Sequence, residues 1–169
     1  MINPMRKRAI DGLKIGDTIS FSRTFSETET RQFGELTRDY NPVHYDMRWA
    51  EAKGFDGLIC HGLLVGSMIC EIGGQIGWLA SGMTFKFMRP VYIGETITCT
   101  ATIKEIEPNG RAMAEAAFLN GKGEQVCRAI LTGRLPLDHE RGLLETIAGE
   151  RPAQDRPFRP DDLSRSERR

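Results

Sequence analysis

The feature that most constrains the fold is a change of apolar period near residue 80. Residues 58–77, LICHGLLVGSMICEIGGQIG, are apolar nearly all round. From residue 82 onward apolar side chains recur at every second position: Met83, Phe85 and Phe87 alternate with Thr84 and Lys86. The segments 95–107, 111–119 and 124–135 read as further strands, the first rich in Thr and Ile. Asn109-Gly110 predicts a tight hairpin, and the NGKG of 120–123 predicts another turn. Arg89-Pro90 places Pro90 at a strand end or edge. The 58–77 run contains Glu71 and falls somewhat short of a membrane helix, so it predicts one long buried helix. Gly62, Gly66 and Ser67 give that helix a small-residue surface that neighbouring backbone can approach.

Upstream, Ile19, Phe21 and Phe25 alternate with polar residues over 17–25, which predicts a half-buried strand. Ser26 and Glu29 have capping-box spacing, so a helix is expected from there to about 36–38, with Phe33 and Leu36 on its inner face. A short helix is expected to end at Gly54. The expected fold class is α+β, an antiparallel sheet wrapped around a long central helix. The expected domain is 1–137, followed over 138–169 by a charged tail or arm in which Leu143, Leu144 and Ile147 form a helical turn or two.

Bulk properties narrow the function. Lys+Arg and Asp+Glu both number 23, so the net charge is zero, which argues against non-specific nucleic-acid binding. The N-terminal segment is basic without an apolar stretch behind it, so neither a signal peptide nor a membrane partner is expected. Cys60, Cys70, Cys99 and Cys127 lack CxxC spacing and sit among apolar or small residues; they read as buried reduced thiols of a cytoplasmic protein. With three histidines, a His-rich metal site is hard to build.

Two segments carry chemistry. In TRDYNPVHYD (37–46), Asp39 and His44 would lie about 140° apart on a continuous helix. Pro42 ends the helix, and Asn41 favours a turn that brings the two back to one side. A carboxylate and an imidazole sharing a small space can hold a water between them and exchange its protons. The plain alternative is a turn aspartate and a polar loop histidine. In the second segment, His61-Gly62 opens the buried helix, where the first amides have no internal acceptor and the helix dipole is positive. The Gly62 amide could hold an oxyanion; an ordinary helix start, with His61 a core histidine and Ser67 a packing residue, is the competing reading.

Taken together, LTRDYNPVHYDMRWAEA, GFDGLICHGLLVGSM and MTFKFMRPVYIGETI resemble the MaoC-like dehydratases, the (R)-specific enoyl-CoA hydratase family with the hot-dog fold. The matching positions are Asp39, Asn41, Pro42, His44 and Ala50; then His61, Gly62, Leu63 and Ser67; then Phe87, Pro90, Val91, Gly94 and Glu95. The resemblance covers roughly residues 15–135. It implies reversible syn hydration of a trans-2-enoyl thioester to an (R)-3-hydroxyacyl thioester, or the reverse dehydration. It points to Asp39, His44 and Gly62 for catalysis and to Asn41, His61 and Ser67 for substrate binding; Arg89, outside the matching positions, could pair with a substrate phosphate or carboxylate, a solvated strand-end arginine being the plainer reading. No metal and no separate cofactor is implied, CoA entering as part of an acyl-CoA or acyl carrier protein substrate. A homodimer or higher homo-oligomer is implied as well. A hot-dog thioesterase and a non-catalytic acyl-binding or assembly module are the alternatives. One departure stands out: the family has Gly before the Asp, and this chain has Arg38. The expectation is that the backbone at 38 avoids a glycine-only conformation.

Overall fold

The computed structural model describes residues 2–150. Eleven regular elements and one 3-10 turn follow in the order α1 (Pro4–Asp11), β1 (Thr18–Thr24), α2 (Glu27–Thr37), the turn Pro42–His44, α3 (Met47–Ala52), α4 (Gly62–Gly66), α5 (Met68–Ile76), β2 (Leu79–Phe87), β3 (Thr96–Ile106), β4 (Arg111–Leu119), β5 (Gln125–Arg134) and α6 (Asp138–Glu150). The strands form one antiparallel sheet in the order β1-β3-β4-β5-β2. This is the expected α+β class, with helix packed on a hot-dog sheet.

The sheet's inner face is apolar because alternate residues of each strand point there. Ile97, Cys99, Ala101 and Ile103 of β3, Ala112, Ala114, Ala116 and Phe118 of β4, and Cys127, Ala129 and Leu131 of β5 are all buried. The small side chains of β4 make room for α4 and α5, which contribute Leu64, Val65, Met68, Ile69, Ile72 and Ile76 to the same core. On the other face, β1 and β3 present a row of hydroxyls, with Ser20–Thr100, Ser22–Thr98 and Thr24–Thr96 paired at 2.8, 2.8 and 2.6 Å.

The helix meets the sheet closely at β2. A Cβ on Gly62 would lie 3.1 Å from the Phe87 ring, and one on Gly66 would lie 3.0 Å from the Phe85 ring. Those two rings are parallel, with 5° between their planes. β2 is an edge strand, so Met83 and Phe87, though on the inner side, stay 43% and 49% exposed.

Several expectations are corrected. The 58–77 run is not one long helix: it becomes helical only at Gly62 and is interrupted at Ser67. The Ser67 hydroxyl donates to the Leu64 carbonyl at 2.6 Å, a back-bond that competes with the helical ladder and bends it. β2 starts at Leu79, and its register shifts between Ala80 and Gly82. Leu36 is 83% exposed, because α2 turns Thr30, Phe33 and Gly34 inward instead. Cys70 is exposed, whereas Cys60, Cys99 and Cys127 are buried; all four are free thiols.

Helix α1 was not anticipated. Asn3 caps it by accepting from the Met5 amide, and Pro4 is its first residue. Helix α6 runs 13 residues, packs beside α1, and sets Leu144 against the core and buries Ala148. The expected arm after residue 137 thus begins with a packed helix, and the rest of it, 151–169, lies outside the described residues.

Gly133 tests the packing of β5 against the start of β2. A Cβ there would lie 2.5 Å from the Leu79 carbonyl oxygen and against the Trp78 indole. Gly133→Ala is expected to cost about 2 kcal/mol and lower the melting temperature by about 6 °C. Gly142→Ala, inside α6 with nothing within 4 Å of the added carbon, is expected to raise it slightly. Thermal unfolding of the two variants checks the contrast.

Candidate active site

The site is built where three chain segments are tied together. The capping box is present: Ser26 Oγ accepts from the Glu29 amide at 3.2 Å, and Glu29 Oε2 accepts from the Ser26 amide at 2.9 Å. Helix α2 ends at Arg38, whose backbone is left-handed at φ 58° and ψ 29°. The expectation that an arginine would avoid this conformation is thus overturned: the left-handed turn forms with a side chain on it, and closing the helix this way lets the Asp39 amide donate to the Gly34 carbonyl at 3.1 Å.

Asn41 then builds the reversal. Its amide donates to Asp39 Oδ1, and its own side-chain oxygen accepts from the Val43 amide, both at 3.3 Å. Pro42 opens the 3-10 turn that carries His44. The expected reunion of Asp39 and His44 is observed. A carboxylate oxygen of Asp39 and one ring nitrogen each of His44 and His61 lie within 4.8 Å of one another.

The third segment is anchored by backbone. The Cys60 amide donates to the Val91 carbonyl at 2.7 Å, and Ile59 bridges to Tyr92. This presents the Ile59 carbonyl to His44, whose Nδ1–H donates to it at 2.7 Å. His44 Nε2 is thereby left as the basic nitrogen. His61 Nε2–H donates to the Asp39 backbone carbonyl at 3.0 Å. The two imidazoles stack, with centroids 3.7 Å apart and 26° between planes.

His44 lines a cavity of about 380 Å³ together with Ile59, Gly62, Val65, Phe87 and Arg89, among others. Gly62 is the first residue of α4, so its amide has no acceptor within the helix. Of the expected substrate-binding residues, Arg89 is on the cavity wall; its Nη1 donates to the Gln125 carbonyl at 3.1 Å, and its Nε lies 3.7 Å from Glu124 Oε1. Asn41 is spent on the turn. Ser67 lies a turn beyond the cavity wall with its proton committed to Leu64. His61, 1% exposed, stands behind His44 rather than on the wall.

Burial is the largest influence on His44 and lowers its pKa below the usual imidazole value, and His61 pushes the same way. The Ile59 carbonyl and the Asp39 carboxylate oppose this. The net result is an imidazole kept neutral at neutral pH, with a proton on Nδ1 and a lone pair on Nε2. The three side chains are of metal-ligand types, and one nitrogen of each ring, His44 Nδ1 and His61 Nε2, is already engaged with a backbone carbonyl. A neutral imidazole with a free Nε2 lone pair beside a carboxylate has the groups that proton transfer needs.

Tyr45 was not singled out from sequence. Its hydroxyl donates to the Asp39 carbonyl at 3.3 Å, and it reaches that position because residue 34 is glycine. The unusual Gly34 inside α2 was the signal available.

Because the folded protein holds the His44 proton less tightly than the unfolded chain does, His44 favours the folded state above the unfolded pKa of about 6.5, and that contribution is lost as pH falls below it. An NMR titration is expected to place the His44 midpoint below the ordinary imidazole value. Asp39→Asn is expected to lower it further, since the carboxylate is one of the groups raising it.

Comparison with known proteins agrees with this geometry. Residues 12–120 match the MaoC like domain. An (R)-specific enoyl-CoA hydratase of Rhodospirillum rubrum is 28% identical over 75% of this chain and 90% of its own length. A mitochondrial 3-hydroxyacyl-[acyl-carrier-protein] dehydratase of Arabidopsis thaliana is 36% identical over 50% of this chain, a match spanning about half (52%) of that relative. Among solved structures, the (R)-hydratase of A. caviae involved in PHA biosynthesis superposes with a TM-score of 0.70 at 25% identity, covering 74% of this chain and 98% of that one. The chain belongs to the MaoC-like domain family and has its hot-dog fold.

Proposed function

We propose that the protein is a hydratase/dehydratase that adds water reversibly across a trans-2-enoyl thioester to give an (R)-3-hydroxyacyl thioester. The observation that carries this is the meeting of Asp39 and a neutral His44 beside a cavity whose wall includes the first amide of α4. The thioester makes the β-carbon electrophilic. A water held by the pair gives one proton to His44 Nε2 as its oxygen bonds to that carbon. The Asp39 carboxylate accepts the water's other O–H and stabilises the imidazolium. The π electrons move to the thioester oxygen, where the Gly62 N–H receives the enolate charge. The α-carbon of the enolate then takes, from the same face, the proton held on His44 Nε2, which returns the imidazole to its neutral form and makes the addition syn. The steps require neither metal nor organic cofactor. Arg89, on the cavity wall, is suited to an anionic group of the CoA or acyl carrier protein.

The active form we propose is a homodimer. Edge strand β2 leaves Met83 and Phe87 half exposed, which a second copy would cover. No described helix is long and apolar enough to cross a membrane, and four free thiols suit the reducing cytoplasm.

Loss of crotonyl-CoA absorbance is the direct assay. Wild-type protein is expected to consume it without releasing free thiol, and His44→Ala and Asp39→Ala are each expected to lower kcat by about 10²- to 10⁴-fold. Equal activity in all three proteins would remove these residues from the mechanism, and thiol release from saturated acyl-CoA would instead identify a thioesterase. Activity is expected to persist at pH values where an ordinary imidazole is already protonated, because burial lowers the His44 pKa. Light scattering at micromolar concentration is expected to give the mass of a dimer; a monomer contradicts the proposed assembly.

A further inference from the structure

Arg38 is the one non-glycine residue with positive φ among the described residues. A Cβ crowds the backbone in that region, so a side chain disfavours it relative to glycine. What holds the geometry lies on the next residue. The Asp39 carbonyl accepts two hydrogen bonds, from His61 Nε2–H at 3.0 Å and from the Tyr45 hydroxyl at 3.3 Å. Both donors reach it past Gly34. A Cβ on Gly34 would collide with the Tyr45 hydroxyl and lie 3.1 Å from His61 Cε1. The Tyr45 and His61 rings meet edge-on, 6.0 Å apart at 68°, and the Arg31 guanidinium lies over Tyr45 at 5.8 Å. Neither Tyr45 nor His61 lines the cavity. The Tyr45 hydroxyl and the His61 Nε2–H are both spent on the Asp39 backbone.

We propose that Tyr45 and His61 are positioning residues that clamp the Asp39 carbonyl from two sides, hold the left-handed turn at Arg38 closed, and so keep the Asp39 carboxylate beside His44. This deepens the hydratase reading and rests on it for the working pair. The clamp takes over a task that glycine at 38 would perform by itself. Tyr45 is the more informative half, since Tyr45→Phe removes one hydroxyl and leaves the ring packing in place.

The test compares wild type, Tyr45→Phe, Arg38→Gly and the double variant by two measurements. The first is amide hydrogen exchange at Asp39, whose N–H bonds to Gly34 and reports opening of the turn. Tyr45→Phe is expected to speed that exchange about fivefold, and adding Arg38→Gly is expected to slow it again. The second is steady-state hydration of crotonyl-CoA. Tyr45→Phe is expected to lower kcat about tenfold with KM within about twofold, and Arg38→Gly is expected to recover part of the loss. A side chain that only packs would leave the exchange at Asp39 and the kcat as in wild type, and that result overturns the proposal. Faster exchange with unchanged kcat overturns it equally. Hydrogen exchange needs no substrate, so a wild type that hydrates no enoyl thioester sinks the functional reading while the exchange data still decide the clamp.

Discussion

The approach of α4 to strand β2 is the contact on which the site depends. Without side chains at Gly62 and Gly66, the Phe87 and Phe85 rings lie directly against the helix backbone. A Cβ at either glycine would meet a ring at 3.1 or 3.0 Å, tighter than ordinary van der Waals contact, so ring or helix would have to give by a few tenths of an ångström. Any shift of the helix would carry its start with it. The segment just before α4 is pinned in turn by the Cys60–Val91 hydrogen bond and the Ile59–Tyr92 bridge. One packing arrangement thus places the Gly62 amide, the His61 ring and the Ile59 carbonyl that orients His44.

The electrostatics follow from depth. His44 is 7% exposed and Asp39 is exposed, though the two are neighbours. Burial disfavours the imidazolium, while the outer carboxylate remains in contact with water. The stacked His61 reinforces this, because two charged rings 3.7 Å apart would repel. A base that is neutral at rest, with a carboxylate beside it to stabilise the proton it takes, is well matched to reversible chemistry. The same groups can accept a proton from water in hydration and return one in dehydration.

Much of this was legible in the sequence, and the reasons for the misses are specific. The Ser26–Glu29 box, the Asn41-Pro42 turn and the Asn109-Gly110 hairpin are local devices whose hydrogen bonds close within a few residues, so spacing alone reveals them. Strands β3, β4 and β5 announce themselves by period. Helix α1 carried the Asn3-Pro4 signal of a helix start, but it is mostly polar, and its single buried residue, Ala9, gives no visible stripe. The break at Ser67 depends on the direction of one hydroxyl. The exposure of Leu36 depends on where α2 meets its neighbours, which no residue in α2 encodes alone. Within the site, Asp39, His44 and Gly62 became candidates only through the three linked segments that resemble a known family, since the Asp–His spacing alone is equally that of a turn aspartate and a loop histidine. His61 and Tyr45 act through contacts with the Asp39 backbone, 22 and 6 residues away, and a polar residue bonded to a distant carbonyl looks in sequence like any other.

Arg38 holds a left-handed backbone that glycine would adopt more easily. The left-handed turn does two things that a continued helix could not. It lets the Asp39 amide close onto Gly34, and it takes Asp39 out of helical phase before Asn41 and Pro42 complete the reversal. Reversing the chain in two steps places the carboxylate at the edge of the site and the imidazole inside it, which a single tight turn over Asp39–His44 would not. The turn is therefore set by the groups at both of its ends. A side chain at position 38 can be accommodated because it projects into solvent and the cost falls on the backbone alone. The same reasoning explains why the tight spot moves to position 34: the space that a Cβ there would fill is occupied by Tyr45 and His61, so the glycine this geometry demands sits one helical turn before the arginine.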